Sequence, residues 1–439
     1  MRSVECPKRV ITVTLLVAVM VLTACGGGSS SSSSGSGAFA APGKASIKGQ
    51  TITVLLPYMI PKALLKQFTA LTGVNVNLTV AAFDAVHSKL IVANTANTYV
   101  ADVTEVDWSF TGQFAAAKWY EPLENVLDPK LVKDLGNTEA PFKSGGHTYA
   151  ACYSNDFRLS LYNQKMLDAA GINQFPQTLT ELGTVVGKLK QAGIQYPISL
   201  PMAATEGGVT PWYLLTLAMG GQLFDKNNRP VFGSTPDSAG YKALAFEVNA
   251  VKNGWVSPGS VTLDDTPAFD KFNAGAAAIA LSNSPGNLPA SNDPKQSSVA
   301  GHVKAGLVPG VSGPATSFAL PEGLGIPVTA QHKDAALAFI NWFGQTSTAL
   351  ALYKGAAFLP CEASALDALT KTHQLQSGSV IQAELRHVVA LFPNGAPKWY
   401  SQFSSDAQGA VNSADKGEIS VGAALKRLTQ QASALAAGQ

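Results

Sequence analysis

The first part of the folded chain alternates two hydrophobic patterns. Thr51–Leu56 is a short β-branched run that ends at Pro57, and Val74–Val80 alternates apolar and polar positions with the period of a strand. Between these runs, Lys62–Leu71 places its apolar side chains at helical spacing. The pattern predicts a strand, a helix and a second strand in succession.

The alternation continues beyond the second strand. It predicts a helix from Asp84 to about Ala96, a strand at Ala101–Val106 and a further helix that begins near Phe110. Asp84 is a candidate N-cap of its helix. Strands that alternate with helices of about 10–15 residues imply a parallel sheet with right-handed crossovers.

Ligands of such sheets bind in the crevice beyond the carboxyl ends of the strands. The loops expected to face one opening are therefore those at Tyr58, Phe83–Asp84 and Asp107–Trp108.

The start of the chain has a different pattern. Basic residues precede an uncharged apolar run, Val10–Val21, that is too short to span a bilayer comfortably. The run ends at Leu22-Thr-Ala-Cys25, which resembles the bacterial lipobox, in which the cysteine is lipidated. We therefore expect residues 1–24 to be a signal peptide and Cys25 to carry the lipid; an ordinary cleaved signal is the alternative. Residues 25–44 include an uninterrupted Gly/Ser stretch that behaves as a flexible tether.

The net charge of the chain argues against two classes of binding partner. The chain has 31 basic and 29 acidic residues, and without the predicted leader the two totals become equal at 28. A neutral chain gives no electrostatic reason to bind nucleic acid or an anionic membrane surface. The predicted contact with the membrane is the lipid on Cys25 alone.

Two of the four cysteines remain once Cys6 leaves with the leader and Cys25 takes the lipid. Cys152 and Cys361 would then lie in an oxidising compartment. A disulfide between them is the favoured interpretation, and two free buried thiols are the alternative.

Six segments together resemble one protein family. The chain is similar to the extracellular solute-binding proteins of ABC importers, in the group that contains the maltose-binding protein and other carbohydrate binders. The segments occur in the family's order at 102–123, 161–172, 176–182, 272–279, 323–343 and 417–426. One departure is Leu179, which stands where the family usually has tryptophan.

The resemblance implies an α/β fold with two lobes, each a mostly parallel sheet flanked by helices, and a ligand cleft at a hinge of three chain crossings. Carried over, the N-terminal lobe comprises residues 45–154 and 317–364. The C-terminal lobe comprises residues 155–316 and 365–439. On this map, Cys152 and Cys361 lie beside two adjacent crossings, where a disulfide would tie two hinge strands together.

Sugar sites combine aromatic faces with a few convergent polar side chains. We therefore expect ligand contacts from the strand-end loops and from the Gly-rich helix start near residue 206. A core role competes for each tryptophan, and helix capping competes for Asp84. The predicted ligand-binding residues are Tyr58, Asp84, Asp107, Trp108, Glu206, Trp212, Asn283, Glu322, Gly323 and Trp399.

The sequence offers little for catalysis. Its six histidines are scattered, and neither a nucleophile elbow nor a phosphate-binding loop occurs outside low-complexity sequence. Asp264 and Asp265 are adjacent, which favours a solvated helix cap over an acid–base pair. We predict no catalytic residues, no metal site and no cofactor; a glycosidase with two distant carboxylates is the enzymatic alternative.

The prediction is a lipid-anchored binding subunit of an ABC importer, a monomer that captures a mono- or oligosaccharide and delivers it to the permease by hinge closure. It would work outside the cytoplasm, anchored to the cell membrane. The alternatives are a binder of another small solute, such as a polyol or polyol phosphate, and a surface receptor that signals occupancy. Arginine is the usual bidentate partner of phosphate. Only one arginine, Arg158, lies near the predicted cleft, and this scarcity argues against a phosphate-bearing ligand.

Overall fold

The computed structural model describes residues 44–392 and 395–438, with side chains from residue 46 onward. The predicted signal peptide, Cys25 and the Gly/Ser tether lie outside these residues. The described strands are β1 (Thr51–Leu56), β2 (Asn75–Val80), β3 (Val103–Asp107), β4 (Lys143–Ser144), β5 (His147–Thr148), β6 (Ala151–Ser154), β7 (Leu159–Asn163), β8 (Ile198–Ser199), β9 (Ile279–Asn283), β10 (Val303–Gly306) and β11 (Glu322–Gly325).

Helices make up much of the rest of the described chain, with short 3₁₀ turns at Gly136–Phe142, Pro258–Thr262 and Pro285–Asn287. The α-helices are α1 (Lys44–Ile47), α2 (Lys62–Thr72), α3 (Phe83–Thr95), α4 (Thr111–Ala117), α5 (Pro129–Leu135), α6 (Gln164–Ala169), α7 (Leu179–Gln191), α8 (Glu206–Ala218), α9 (Ala239–Lys252), α10 (Asp265–Asn273), α11 (Leu288–Ser291), α12 (Lys333–Phe343), α13 (Thr346–Ala356), α14 (Ala363–Lys371), α15 (Gly378–Leu385), α16 (Tyr400–Asp415) and α17 (Val421–Ala437).

The first sheet has the strand order β2-β1-β3-β11-β6. Strand β1 pairs in parallel with β2 and β3, whereas β11 is antiparallel to both β3 and β6. Four strands therefore share one direction and β11 opposes them, because the chain returns to this sheet at β11 from the other lobe.

The second sheet has the order β10-β7-β9-β8. Strand β9 is parallel to β8 and antiparallel to β7, which is in turn antiparallel to β10. In this sheet β7 runs opposite to the other three strands, and it is the first of the four along the chain. The predicted two-lobed α/β fold is confirmed, but its sheets are mixed rather than mostly parallel, because β11 and β7 each pair antiparallel with both of their neighbours. The lobe boundaries remain a prediction.

The predicted elements of the first third agree with the observed ones to within about two residues, as is usual for strongly periodic segments. One detail was wrong: the N-cap of α3 is Ala82, and Asp84 lies inside the first turn. Its carboxylate is therefore available for contacts outside the helix.

Cys152 in β6 and Cys361, just before α14, form a disulfide with their Cα atoms 5.9 Å apart. Both residues are buried in the core of the first sheet. The bond ties β6, from which the chain leaves this sheet, to the segment that connects α13 and α14.

Each sheet has its own hydrophobic core, and the described residues belong to one compact unit. Helices α8, α9, α16 and α17 pack against one another beside the second sheet. Trp108 is an exception to this division: it follows β3 of the first sheet but is buried in the core of the second. None of the described helices is long and apolar enough to cross a membrane.

Candidate functional site

Polar side chains meet at the edge of the first sheet where β1 and β3 end. Asp107, the last residue of β3, pairs with Glu322, the first residue of β11. Tyr58 follows β1 and donates a hydrogen bond from its hydroxyl to Glu322 Oε1 at 2.6 Å. The strand ends therefore bring these three predicted site residues together, although they are far apart in sequence.

A second group comes from the segment that crosses to the second sheet. Arg158 donates from Nη1 to Asp156 and from Nη2 to Asp265 Oδ2, the latter at 3.2 Å. Asp265 is the first residue of α10. Burial alone would lower the pKa of Arg158, but the carboxylates of Asp156 and Asp265 raise it, so the guanidinium stays charged.

The start of α8 supplies a third group. Thr205 caps this helix by accepting from the backbone N–H of Gly208, and its hydroxyl donates to Asp264 Oδ1 at 2.7 Å. Glu206 accepts hydrogen bonds from Tyr400 at 2.6 Å and from Ser404, both in α16. The glycine at 207 has a packing reason, because a Cβ there would lie 2.4 Å from Asp264 Oδ1.

These groups form one electrostatically connected set, which we call the acidic cluster. Among the described residues, Arg158 is the only cation that forms an ion pair with any member. The cluster contains eight carboxyl groups and one guanidinium, and Asp156, Asp265 and Glu322 interact directly with that guanidinium. The members are Asp84, Glu105, Asp107, Asp156, Glu206, Asp264, Asp265 and Glu322.

Burial changes the protonation of several members. Loss of hydration raises the pKa of Asp107 to about 8 and that of Glu322 to about 8, with Asp156 as a further negative neighbour of each. Burial raises the pKa of Asp265 only to about 6, because Arg158 opposes the shift. At neutral pH, Asp107 and Glu322 therefore hold protons for much of the time and can both donate and accept hydrogen bonds.

Aromatic side chains line the same region. Trp108 is only 5% exposed, and its ring centroid lies 4.9 Å from that of Tyr400 and 6.5 Å from that of Phe392. Tyr58 is 39% exposed, and its ring packs edge-on against Phe358. Trp108 thus packs a loop of the first sheet against the α16 side of the second.

Asp84 connects the first lobe to the second. It lies in the first turn of α3, and its carboxylate interacts with the backbone of Glu206 at the start of α8. Burial, followed by the negative charge of Asp264, raises the pKa of Asp84. The structure therefore places Asp84 and Glu206 in contact at the junction of the two lobes.

Two predicted ligand contacts were wrong. Trp212 is fully buried in α8, where its indole N–H donates to the carbonyl of Gly240 at 2.9 Å. Gly323 pairs with strands on both sides, and a Cβ there would meet Ala150 at 2.8 Å. Both residues serve packing, and neither offers a free group to a ligand.

Two others lie apart from the acidic cluster. Asn283 ends β9, and its Oδ1 accepts from the side chain of Asn287 at 2.8 Å. Trp399 is buried against Phe224 and Phe403, which belong to the core of the second sheet. Nothing in their contacts brings them to the cluster.

Sequence reasoning missed several members. Asp264–Asp265 was interpreted as a solvated cap, but both carboxyls face polar partners in the cluster. Asp156 and Arg158 lie in an irregular crossing segment and therefore carry no periodic signal. An acid and a base two residues apart in such a segment were the available clue, since side chains at that spacing share a face of extended chain.

Two surface cavities lie away from this chemistry. One, of about 400 Å³, is lined by α4, the β4–β5 hairpin and residues 395–398. The other, of about 420 Å³, lies beside Tyr353 and Gln376. Neither is lined by a member of the acidic cluster, so we place the candidate site at the cluster on the basis of its chemistry.

Known proteins resemble the chain both in sequence and in fold. A mannitol-binding protein of Pseudomonas aeruginosa is 27% identical over 234 residues, so the match spans about half of each chain, 52% in both cases. A solute-binding protein of an ABC transporter from Thermotoga lettingae, solved with α-D-tagatose, superposes with a TM-score of 0.79 at 21% identity, covering 88% of this chain and 100% of that one. Another from Agrobacterium radiobacter, in complex with ribitol, gives 0.78 at 21% identity, with 89% and 99% covered.

Residues 56–348 match the bacterial extracellular solute-binding protein family, whose members are transport proteins rather than a class of enzymes. The match includes every member of the acidic cluster and all strands of the two sheets except most of β1. The chain therefore belongs to the bacterial extracellular solute-binding protein family.

Proposed function

We propose that the protein captures a sugar or sugar alcohol between its two lobes and delivers it to the membrane subunits of an ABC importer. The acidic cluster carries this proposal, because it gathers hydrogen-bonding groups from both lobes at one place. A hydroxyl group both donates and accepts. Ionised carboxylates and the protonated forms of Asp107 and Glu322 together serve both roles.

The relatives support the choice of ligand class. Proteins of the same fold were solved with tagatose and with ribitol, and a sequence relative is named for mannitol. A ketohexose and linear polyols share a dense set of hydroxyl groups on a short carbon chain. The exposed aromatic ring of Tyr58 beside the cluster suits the C–H surfaces of such molecules.

Contacts between the lobes support closure as the mechanism. The Ser401 hydroxyl of α16 donates to Gln113 of α4 at 2.9 Å, and the Asp84 carboxylate interacts with the backbone of Glu206. A ligand that bridges the same two sides would shift the population toward the closed form. The membrane subunits would then distinguish loaded from empty protein by the relative position of the lobes.

The sequence supports a tether of this monomer to the outer side of the cell membrane through lipid on Cys25. Two acyl chains hold a protein stably where one is marginal. A Cys25→Ser variant is expected to leave the membrane fraction and appear as soluble exported protein. Membrane fractionation with immunoblotting measures this, and full retention of the variant would contradict the anchor.

A thermal-shift panel of sugars, polyols, amino acids and peptides tests the ligand class. A ligand at 100 times its dissociation constant stabilises the native state by about 2.7 kcal/mol, so we expect a clear rise in melting temperature with a sugar or polyol. The rise should shrink in Glu322→Gln, which alters the cluster, and persist in Glu418→Gln, which alters an exposed carboxylate. A shift with an amino acid or peptide alone would contradict the proposal.

A further inference from the structure

The acidic cluster has far more groups that can carry a negative charge than groups that can carry a positive charge. Both terminal nitrogens of Arg158 are already engaged with Asp156 and Asp265. The remaining carboxyls have no ion-pair partner in the described part of the chain. Stabilising a cluster this negative requires either protons on several carboxyls or a further cation.

Unsatisfied groups within the cluster point to a ligand independently. Asp156 and Arg158 are each 9% exposed, and neither Asp156 Oδ1 nor Arg158 Nε has a hydrogen-bond partner among the described residues. Buried polar atoms nearly always have a partner, and each one left without costs about 1–3 kcal/mol. An unpartnered acceptor and an unpartnered donor on two side chains that pair with each other fit a ligand that presents hydroxyl groups.

Part of the excess charge faces the junction of the lobes. The side chain of Asp265 is 43% exposed, against 11% for Arg158, and it interacts electrostatically with Asp264 and Asp84. Asp84 comes from the first-sheet side, while Asp264 and Asp265 come from the second. Closure brings these like charges together, which opposes closure unless a cation lies between them.

We propose that the ligand is a polyhydroxylated molecule carrying an amine, an amino sugar or amino polyol, bound in preference to its neutral counterpart. This rests on the proposed function of the same cleft. The ammonium lies among Asp84, Asp264 and Asp265, and the hydroxyls satisfy Asp156 and Arg158. The ammonium removes the repulsion between the lobes. A positively charged ligand therefore favours closure more than a neutral ligand does.

The chemistry favours an ammonium over other cations and excludes anions. An ammonium donates three hydrogen bonds and accepts none, which matches carboxylates, and such charge-assisted bonds are about twice as strong as neutral ones. A metal ion needs several oxygen ligands at about 2–2.6 Å, and no group of three or more such side chains among the described residues is arranged to hold one. Sugar phosphates and sugar acids would add negative charge to the cluster.

Calorimetric titration of the purified protein with matched pairs tests the proposal. The pairs are D-mannitol with 1-amino-1-deoxy-D-mannitol, and D-glucose with D-glucosamine; N-acetyl-D-glucosamine is the uncharged control. In at least one pair we expect the amine to bind about tenfold tighter or more, and in the glucose series acetylation to remove any such advantage. Equal or tighter binding of the neutral partners would overturn the inference and leave the proposed function intact.

Variants locate the charge effect. Asp265→Asn keeps the shape of the side chain and is expected to weaken amine binding about tenfold while changing binding of the neutral partner much less. Asp270→Asn removes the same charge from an exposed position of the same helix and should change neither. Equal losses for both ligands in Asp265→Asn would overturn the placement of the ammonium.

Two further outcomes of these experiments would show that the proposed function fails or that the cluster binds a metal ion. If no sugar or polyol binds, with or without an amine, the proposed function itself fails, and the inference fails with it. If Ca²⁺ alone raises the melting temperature of the unliganded protein and abolishes the preference for amines, the cluster serves a metal ion and the inference is overturned.

Discussion

Arg158→Met is expected to lower the free energy of unfolding by about 3–5 kcal/mol at pH 8, because it removes the one guanidinium from a buried set of carboxylates. Methionine retains much of the apolar length of the side chain, so the loss reports charge more than packing. The measurement is urea unfolding of the variant and the wild type, followed by circular dichroism.

The loss of unfolding free energy in Arg158→Met should be smaller at pH 5 than at pH 8. Asp107, Glu322 and Asp265 have native pKa values raised to about 8, 8 and 6, so they are mainly protonated in the native state at pH 5. A carboxyl whose native pKa is raised stabilises the fold at low pH, and that contribution is lost as the pH rises from about 4 through its native pKa. Without Arg158 the pKa values of Asp265 and Glu322 rise further, so the stability of the variant falls more steeply with pH.

Two other substitutions make this result specific. Arg158→Lys keeps a positive charge and should recover part of the loss. Arg427→Met removes an exposed arginine from α17 and should change stability by no more than about 0.5 kcal/mol. A deficit in Arg158→Met that is the same at pH 5 and pH 8 would show that packing, not charge, dominates the role of Arg158.

Removal of the disulfide is expected to have a comparable effect. Cys152 and Cys361 are 209 residues apart, and in the chain-entropy model a crosslink over so long a loop stabilises the native state by as much as about 5 kcal/mol. The double variant Cys152→Ala/Cys361→Ala should therefore unfold at a markedly lower urea concentration. Alanine is suitable because both sites are buried in the apolar core of the first sheet.

Reduction of the wild-type protein provides the matched comparison. Dithiothreitol should move the unfolding midpoint of the wild type toward that of the double variant and leave the variant itself unchanged. Coincident midpoints of the oxidised wild type and the variant would show that the crosslink adds nothing to stability. Mass spectrometry of the unreduced protein verifies the bond in the sample used.

Sequence periodicity was a good guide to the fold. Thr51–Leu56 became β1 with the predicted bounds, because a short β-branched run closed by proline has few alternatives. The same reasoning placed Asp107 at a strand end, and the structure sets it beside Glu322. Features that depend on where strands end could therefore be predicted from local patterns.

The rest of the site depends on the tertiary path of the chain. Asp156 and Arg158 lie in a crossing segment whose position is decided by the sheets it joins, so no local pattern reveals their contact with Asp265. Trp212 shows the opposite error. Its helix, α8, is apolar on most sides, and a pattern of that kind does not tell an aromatic that faces a cleft from one that faces a core.

Trp108, which follows β3 but is buried in the other core, has a consequence for affinity. Separation of the lobes would move its indole into water, and exposing about 150–250 Å² of apolar surface costs on the order of 4–6 kcal/mol. Burial of the indole favours the closed form whether or not a solute is bound, and it partly offsets the repulsion among the carboxylates at the junction of the lobes. Once a solute has removed that repulsion, the same burial opposes reopening, so this one side chain slows the release of a bound solute.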